Sequence, residues 1–199
     1  HKLKIKYYQP KEGELYYYRG IAHRALGQEE EAIANFGRAT WYYEWFSAAN
    51  FQLAQIASQQ ANYQQAIDYV KEAYATNNRD GRIVNLYASL LRLQDKREEA
   101  ISLLEAQLNY DPLDFTALHE MSLLTKGKPR NQAFSSWHEN MQDVENNYIT
   151  IATHYMNAGL HEDGIKLFSN LEDPDSPMVN FYLSWFHSQD GNTAQAKQL

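Results

Sequence analysis

Apolar residues along this chain recur at helical spacing, with polar and charged residues between them. In the first clear instance, Phe36 lies three residues beyond the pair Ala32-Ile33, and Ala39 lies three residues beyond Phe36. A helix brings residues three, four and seven positions apart onto one face. The pattern begins again at Ala66-Ile67 and at Ala100-Ile101. It predicts three helices that each bury one apolar face.

These three patterns are spaced 34 residues apart, and a second helical stretch precedes each of them. The preceding stretches are "ELYYYRGIAHRAL", "ANFQLAQIASQQ" and "IVNLYASLLRLQ", which also place small and apolar residues on one face. A fixed period of this length indicates a repeat architecture. Each unit is therefore predicted to be a helix, a short turn and a second helix.

The unit resembles the tetratricopeptide repeat, a helix pair whose small residues stand where the two helices cross and a larger side chain would separate them. The resemblance implies an all-α fold, a right-handed superhelix (α-solenoid) of antiparallel helix pairs. It also implies a non-catalytic scaffold that binds proteins or peptides. The matching residues are Gly20, Gly27, Ala32, Phe36 and Ala39 in the first unit, and Ala88, Ala100 and Pro112 in the third.

Six units are predicted, of which two depart from the pattern. The fourth has no Ala-Ile pair and is interrupted by Gly127 and Pro129, with a second helix expected to restart near Asn131. The sixth stops just inside its second helix, and the chain begins at His1, so we expect the sequence to be a piece of a longer protein. An extended tail, or the end of a preceding domain, is predicted for 1–12. The units are predicted near 13–46, 47–80, 81–114, 115–144 (irregular), 145–176 and 177–199 (truncated).

A second resemblance covers Tyr16 to Leu124. This stretch is similar to the repeat-bearing C-terminal region of large bacterial proteins that begin with an uncharacterised β-rich domain. The features that carry it are "GIAHRALGQEEEAIANFGRAT", the aromatic run after it and "DPLDFTALHEMSLL". It implies, as an alternative function, a helical support region in a carbohydrate-related parent whose active or sugar-binding domain lies elsewhere.

Composition narrows the classes of partner. The formal net charge is −7 and the lysines and arginines are scattered, whereas a nucleic-acid binder shows a basic stripe. No apolar run approaches the roughly 18 residues of a membrane span. No cysteine is present, which excludes disulfides and thiolate chemistry. We expect neither nucleic acid nor membrane as a partner, and the sequence leaves the compartment open between cytoplasm and periplasm.

The residues that could carry chemistry do not form a recognisable site. Seven histidines are present, but none lies in the His-Glu-x-x-His spacing that places two imidazoles around zinc. The carboxylates of "NLEDPDSP" lack the spacing of a calcium loop. The nine glycines are dispersed, without a phosphate-binding cluster. The sequence predicts no catalytic residue, no metal and no cofactor.

Binding is predicted in the concave groove, which the first helices of such arrays line. Tyr17 and Ile21 stand where the carboxylate-clamp subclass of these repeats has Lys and Asn, so we reject that subclass. We expect the groove to bind a ligand, such as an acidic peptide, or another domain of the parent. The alternative is a groove that holds only solvent. The predicted groove residues are Tyr17, Ile21, Phe51, Gln55, Arg82, Asn85, Ser89, Arg92, Ile149, Thr153, Phe181 and Trp185.

Two aromatic clusters complete the predictions. The run from Trp41 to Phe46, "WYYEWF", is placed at the end of a second helix and the following turn. Successive helical residues point about 100° apart, so the rings cannot share one face. They pack between units, or else Trp41, Tyr43 and Trp45 form an aromatic platform for a sugar or peptide ring. Near the C-terminus, at least part of the ring cluster Phe181, Trp185 and Phe186 is expected to be exposed, which would lead to self-association or to a frayed end.

Overall fold

The computed structural model describes residues 12–125, 141, 143–169, 171 and 176–197. Its regular elements, within these residues, are helices and not strands. The tail predicted for 1–12 lies outside the described residues except for Glu12, which begins the first helix, and so does the helix predicted near Asn131. The helices are α1 Glu12–Ala25, α2 Glu29–Ala39, α3 Tyr43–Gln59, α4 Tyr63–Thr76, α5 Gly81–Leu93, α6 Arg97–Tyr110, α7 Phe115–Thr125, α8 Val144–Ala158, α9 His161–Phe168, α10 Pro177–Gln189 and α11 Thr193–Ala196.

Consecutive helices pack as pairs, and each pair packs on the next. The pairs are α1–α2, α3–α4, α5–α6, α8–α9 and α10–α11, and α2, α4, α6 and α9 each contact the helix that follows. Short turns between consecutive helices make each pair antiparallel. The predicted all-α array of helix pairs is confirmed.

The interior of the array follows the predicted period. Ala32, Ala66 and Ala100 are all 0% exposed. The larger residues one turn further along, Phe36, Val70 and Leu104, are equally buried. Burying an apolar side chain of this size contributes about 1.5–3 kcal/mol. The repeated faces of α2, α4 and α6 therefore form the hydrophobic core.

Gly20 shows why a small residue stands at the crossing of α1 and α2. A Cβ atom added at Gly20 would lie 2.6 Å from Cε1 of Phe36. Because the Phe36 ring is fully buried, it has no free space to move into. Only glycine permits this approach of the two helices.

The turns within the pairs repeat as well. Gly27, Ala61 and Asp95 follow the first helices of the first three units, and their φ angles are 69°, 57° and 54°. This left-handed backbone conformation costs non-glycine residues about 1–2 kcal/mol. The turn geometry is therefore retained in the second and third units although glycine is not.

Helix α8 departs from the linear order of an array. It contacts α3, α5 and α7 as well as its neighbours α9 and α10. Ser58 Oγ donates a hydrogen bond to the carbonyl oxygen of Ala158 at 2.6 Å, and a Cβ added at Gly159 would lie 2.7 Å from Cα of Gln59. In a simple array each repeat contacts only its neighbours. Here the chain turns back, and α8 lies against the first helices of the second and third units.

Candidate functional site

A cavity of about 600 Å³ lies between α8 and the facing sides of α1, α3, α5 and α7. Small-molecule and cofactor sites usually occupy 300–1,000 Å³, so its size suits a small molecule or a few residues of peptide. Seven of the predicted groove residues line it, from four different helices: Ile21, Phe51, Gln55, Arg82, Asn85, Ile149 and Thr153.

The other predicted groove residues lie elsewhere. Tyr17 stacks on Trp45, with ring centroids 4.8 Å apart. Ser89 and Arg92 belong to a buried polar network described below. On α10, Phe181 is exposed and Trp185 packs edge-on against His161. These five residues therefore do not line the cavity.

The cavity also contains residues that the sequence reasoning did not select. Arg24 lies three positions beyond Ile21 and shares its helix face, so helical spacing could have identified it. Thr116 and His154 line the cavity because α7 and α8 meet there. Nothing in the 34-residue period predicts that meeting. Repeat spacing thus selects residues on both walls, with Ile149 and Thr153 on α8, but it does not predict that the two walls face each other.

Arg24 projects into this cavity with neutral partners. Its Nη1 donates to Oε1 of Gln52 at 2.5 Å and to Oε1 of Gln55 at 2.8 Å. Its Nη2 donates to the carbonyl oxygen of Asn157 on α8, at 3.4 Å. Burial lowers the pKa of the Arg24 guanidinium, and the nearby Glu29 carboxylate partly opposes this effect. Arginine nevertheless stays protonated in proteins, so the cavity carries a positive charge.

Arg82 is the second cation at the cavity. Its side chain is 76% exposed and forms an ion pair with Asp80, Nη2 to Oδ2 2.7 Å. The guanidinium also lies over the ring of Phe51, 5.9 Å from its centroid. The exposed pair is worth little to stability, because solvent screens it. Arg82 is therefore a cation held near the cavity by one acidic neighbour.

Asn85 has a buried acceptor without a partner. Its Nδ2 donates to Oδ1 and Oδ2 of Asp114 at 3.0 and 3.1 Å, and a carboxylate can only accept, so this contact fixes which way the amide faces. Its Oδ1 is buried and accepts no hydrogen bond from the described residues. Asp114 is held in turn by Gln107 Nε2 at 2.8 Å and by the backbone N–H of Ala117 at 3.0 Å. Asn85 is thus oriented by its surroundings, and its unused acceptor is shielded from solvent.

A buried polar network lies beside the cavity, centred on Glu120. This carboxylate is 0% exposed. It accepts from Arg92 Nε at 2.8 Å, from the Tyr155 hydroxyl at 2.8 Å and from Ser89 Oγ at 2.9 Å. Arg92 also pairs with Asp163 at 2.8 Å. The network joins α5, α7, α8 and α9. Within it, Arg92 forms ion pairs with both Glu120 and Asp163.

The ionisation of this network follows from burial and charge. Burial alone would raise the pKa of Glu120, but the charge and hydrogen bonds of Arg92 outweigh it and lower the pKa to about 2. Burial lowers the Arg92 pKa, yet Glu120 and Asp163 raise it more, so the net shift is upward. Burial lowers the pKa of His119 to about 4, and it also lowers that of His154. At neutral pH the network contains an ion pair and neutral imidazoles.

The aromatic run is divided between packing and exposure. Trp41 and Tyr42 lie in the turn, and Tyr43 to Phe46 form the first turn of α3, so the expected placement at the end of a second helix was wrong. The cause is an extra N-terminal turn on α3, which also puts the predicted boundary at 46/47 inside this helix. Trp45 packs on Tyr17, whereas Trp41 and Tyr43 are 80% and 81% exposed.

The described part of the chain contains neither a metal cluster nor a membrane-spanning helix. No group of three or more His, Cys, Asp or Glu residues there could hold a metal ion. Among the same residues, no helix has both the length and the apolar character needed to cross a membrane.

The family comparison identifies one of the helix pairs. The family model of the tetratricopeptide repeat matches residues 47–80, which cover most of α3, all of α4 and the loop after it. The first and third pairs repeat this pair's 34-residue period, its buried alanine and its left-handed turn residue. The described chain has the tetratricopeptide repeat fold. Proteins with this fold are generally non-catalytic and bind proteins or peptides.

Solved structures of tetratricopeptide repeat proteins show the same fold. A tetratricopeptide repeat protein from Parabacteroides merdae is 17% identical, with a TM-score of 0.60 over 94% of this chain and 77% of that one. The MamA protein is 14% identical, with a TM-score of 0.58 over 94% and 96% of the two chains. PilF of Pseudomonas aeruginosa is 15% identical, with a TM-score of 0.56 over 94% and 87%. At such identities the likeness establishes the fold. No curated protein sequence matches this tetratricopeptide chain.

Proposed function

We propose that this chain is a non-catalytic scaffold that binds a peptide segment, from another protein or another domain of the same parent, in the cavity beneath α8. The observation that carries the proposal is the cavity of about 600 Å³, which five helices line. Its walls combine apolar residues such as Ile21 and Phe51 with amide and hydroxyl side chains. Such a mixture suits a peptide, which has both a polar backbone and apolar side chains.

Helix α8 changes where a partner can bind. Because α8 lies against α3, α5 and α7, part of the inner face is already buried within the chain. A long helix from a partner would compete with α8 for this face. A short extended segment, entering beside α8, fits the remaining volume without displacing any described element.

Filling the cavity tests the proposal. Peptides are selected from a displayed library by their binding to the wild-type protein. Their affinity for the wild type is then compared with their affinity for Ile149→Trp, in which an indole occupies the cavity. The control is Ser102→Trp, which adds the same ring at an exposed position of α6. We expect at least about tenfold weaker binding to the first variant, roughly 1.4 kcal/mol, and unchanged binding to the second. Failure to select any peptide, or equal binding to both variants, would contradict the proposal.

The carbohydrate-linked alternative has one observation in its favour. Trp41 and Tyr43 lie two positions apart in the sequence, and both side chains are largely exposed. Exposed aromatic faces can stack on sugar rings. Trp45 does not belong to this surface, because it packs on Tyr17. Quenching of tryptophan fluorescence by oligosaccharides in the wild type, lost in Trp41→Ala, would favour this alternative over the peptide scaffold.

A further inference from the structure

The charge of the cavity is unlike that of the whole chain. The protein carries a formal net charge of −7, yet the described residues that line the cavity include Arg24 and Arg82 and no carboxylate. In a cleft with low-dielectric walls, charges of one sign act more strongly than in open solvent. The charged side chains that line the cavity are therefore both cations, and Asp80 offsets the charge of Arg82.

Arg24 is the less satisfied of the two cations. Arg82 has Asp80 as a partner, but Arg24 forms no ion pair with any described carboxylate; its hydrogen bonds go to two amide oxygens and a backbone carbonyl. Buried charges in proteins are normally paired. The guanidinium keeps further N–H donors in a planar fork that matches a carboxylate.

The rest of the cavity wall indicates the kind of molecule that would carry the carboxylate. Ile21 and Phe51 line the cavity together with the amide side chain of Asn85. A peptide offers both apolar side chains and a polar backbone to such a wall, whereas a small free carboxylate does not.

We propose that the cavity recognises an acidic peptide segment, in which a glutamate or aspartate side chain binds the guanidinium of Arg24. Arg82 adds a second, more exposed attraction for the same carboxylate or for its neighbour. The proposal rests on the peptide-binding function above and specifies its ligand. Arg92, which the sequence grouped with Arg82, takes no part because Glu120 and Asp163 already engage it.

The test compares two pools of N-acetylated, C-amidated hexapeptides, identical except that one fixed position is glutamate or glutamine. Binding is followed by the NMR resonances of the arginine side-chain N–H groups in the full chain. We expect the glutamate pool to bind at least about tenfold more tightly than the glutamine pool. The preference should shrink at about 0.5 M salt, because salt screens the charge pair.

Three variants locate the effect. Arg24→Gln should abolish the preference for glutamate. Arg24→Lys keeps the charge and should retain a reduced preference for glutamate. A variant that is merely misfolded is recognised because it binds neither pool. Arg19→Gln removes the same charge from an exposed position of the same helix and should leave both affinities within about twofold, as expected for a distant screened charge.

Other outcomes would overturn the proposal in distinct ways. Equal binding of both pools would show that the cavity takes peptides without reading a carboxylate, and the proposed function would stand. Binding of free glutarate as tight as that of the glutamate pool would show a site for small anions instead of a peptide segment. If neither pool shifts the resonance of Arg24, the acidic-peptide proposal fails outright.

Discussion

At the scale of single residues, the most consequential groups are the buried ionisable ones beside the cavity. Glu120 is fully buried and survives as a carboxylate because Arg92, Tyr155 and Ser89 all donate to it. A buried ion pair adds little over a hydrophobic replacement, but removing one partner leaves a charge without compensation. The network therefore specifies how α5, α7, α8 and α9 fit together.

Breaking this network should be costly. We expect Arg92→Met to destabilise the protein by about 3–5 kcal/mol, because Glu120 would remain buried without its cation. The comparison is Glu162→Gln, which breaks the exposed pair with Lys166 and should cost less than about 1 kcal/mol. Urea unfolding of the three proteins measures the difference. Similar midpoints for the two variants would show that the Glu120 site is not as buried as described.

The same residues predict an acid sensitivity. The pKa of His119 is lowered from 6.5 to about 4, so the unfolded chain binds a proton that the folded protein does not. Stability should therefore fall as pH drops from about 6.5 to about 4, by at most about 3 kcal/mol from this residue. His154 acts in the same direction. Glu120, with its pKa of about 2, adds a further loss only below about pH 4.5.

His119→Gln checks the assignment, because it removes one titrating group and keeps a buried polar side chain. Urea unfolding near pH 7 and about pH 5 should show a smaller loss of stability for the variant than for the wild type. His154 should leave part of the loss in place. An unchanged loss would mean that His119 is protonated normally in the folded protein.

At the scale of helices, the sequence determined most of what the structure shows in the first three units. Ala66 could be placed because its neighbours in phase, 34 residues before and after, obey the same spacing. The start of α3 at Tyr43 could not be predicted, because aromatic residues do not mark the beginning of a helix. The position of the far wall of the cavity could not be predicted either. Ile149 and Thr153 were selected by repeat position, but only a contact across about a hundred residues sets them opposite Phe51 and Asn85.

The small crossing position at Ala66 provides a test of the register. Ala66→Leu should destabilise by about 1–3 kcal/mol, because the added atoms have no free volume in a packed core. Ala75→Leu makes the same substitution on the exposed side of α4 and should change stability by no more than about 0.5 kcal/mol. Urea midpoints decide between them. A tolerated leucine at position 66 would mean that the helix faces are assigned wrongly.

Two glycines in the first unit should respond in opposite directions. Gly20→Ala forces a Cβ into the buried ring of Phe36 and should destabilise by about 1–3 kcal/mol. Gly37, on α2, has nothing within 4 Å of the same position. Gly37→Ala should therefore stabilise by about 0.5–1 kcal/mol, because alanine favours the helix. Thermal melts of both variants measure the signs, and a shift in the same direction for both would contradict the packing described here.

At the scale of the whole molecule, the return of α8 joins the second unit to the fifth. The sequence predicts α8 as one more helix of the array. In the structure, α8 instead buries Tyr155 and Ile151 in the same core cluster as Ala54 and Leu90. Part of the C-terminal ring cluster is exposed, as expected, because Phe181 is 58% exposed, whereas Phe186 is 0% exposed. Self-association through that end stays a prediction.

Coupling between the distant units can be measured directly. In Gly159→Ala, a side chain would occupy a left-handed position, φ 71°, and collide with the backbone of Gln59. We expect amide hydrogen exchange to accelerate in α3 as well as in α8 and α9, because local openings of contacting elements are linked. An effect confined to α8 and α9 would indicate a linear array with independent ends.

The contact between Ser58 and Ala158 spans 100 residues, and this separation has a consequence for synthesis in the cell. Ribosomes add about 5–20 residues per second, so the first helices of the early units wait on the order of 5–20 s before α8 can reach them. During that interval the nascent chain carries an uncovered apolar strip on helices that can already form. Until α8 has been translated, nothing in the described part of the chain covers this strip.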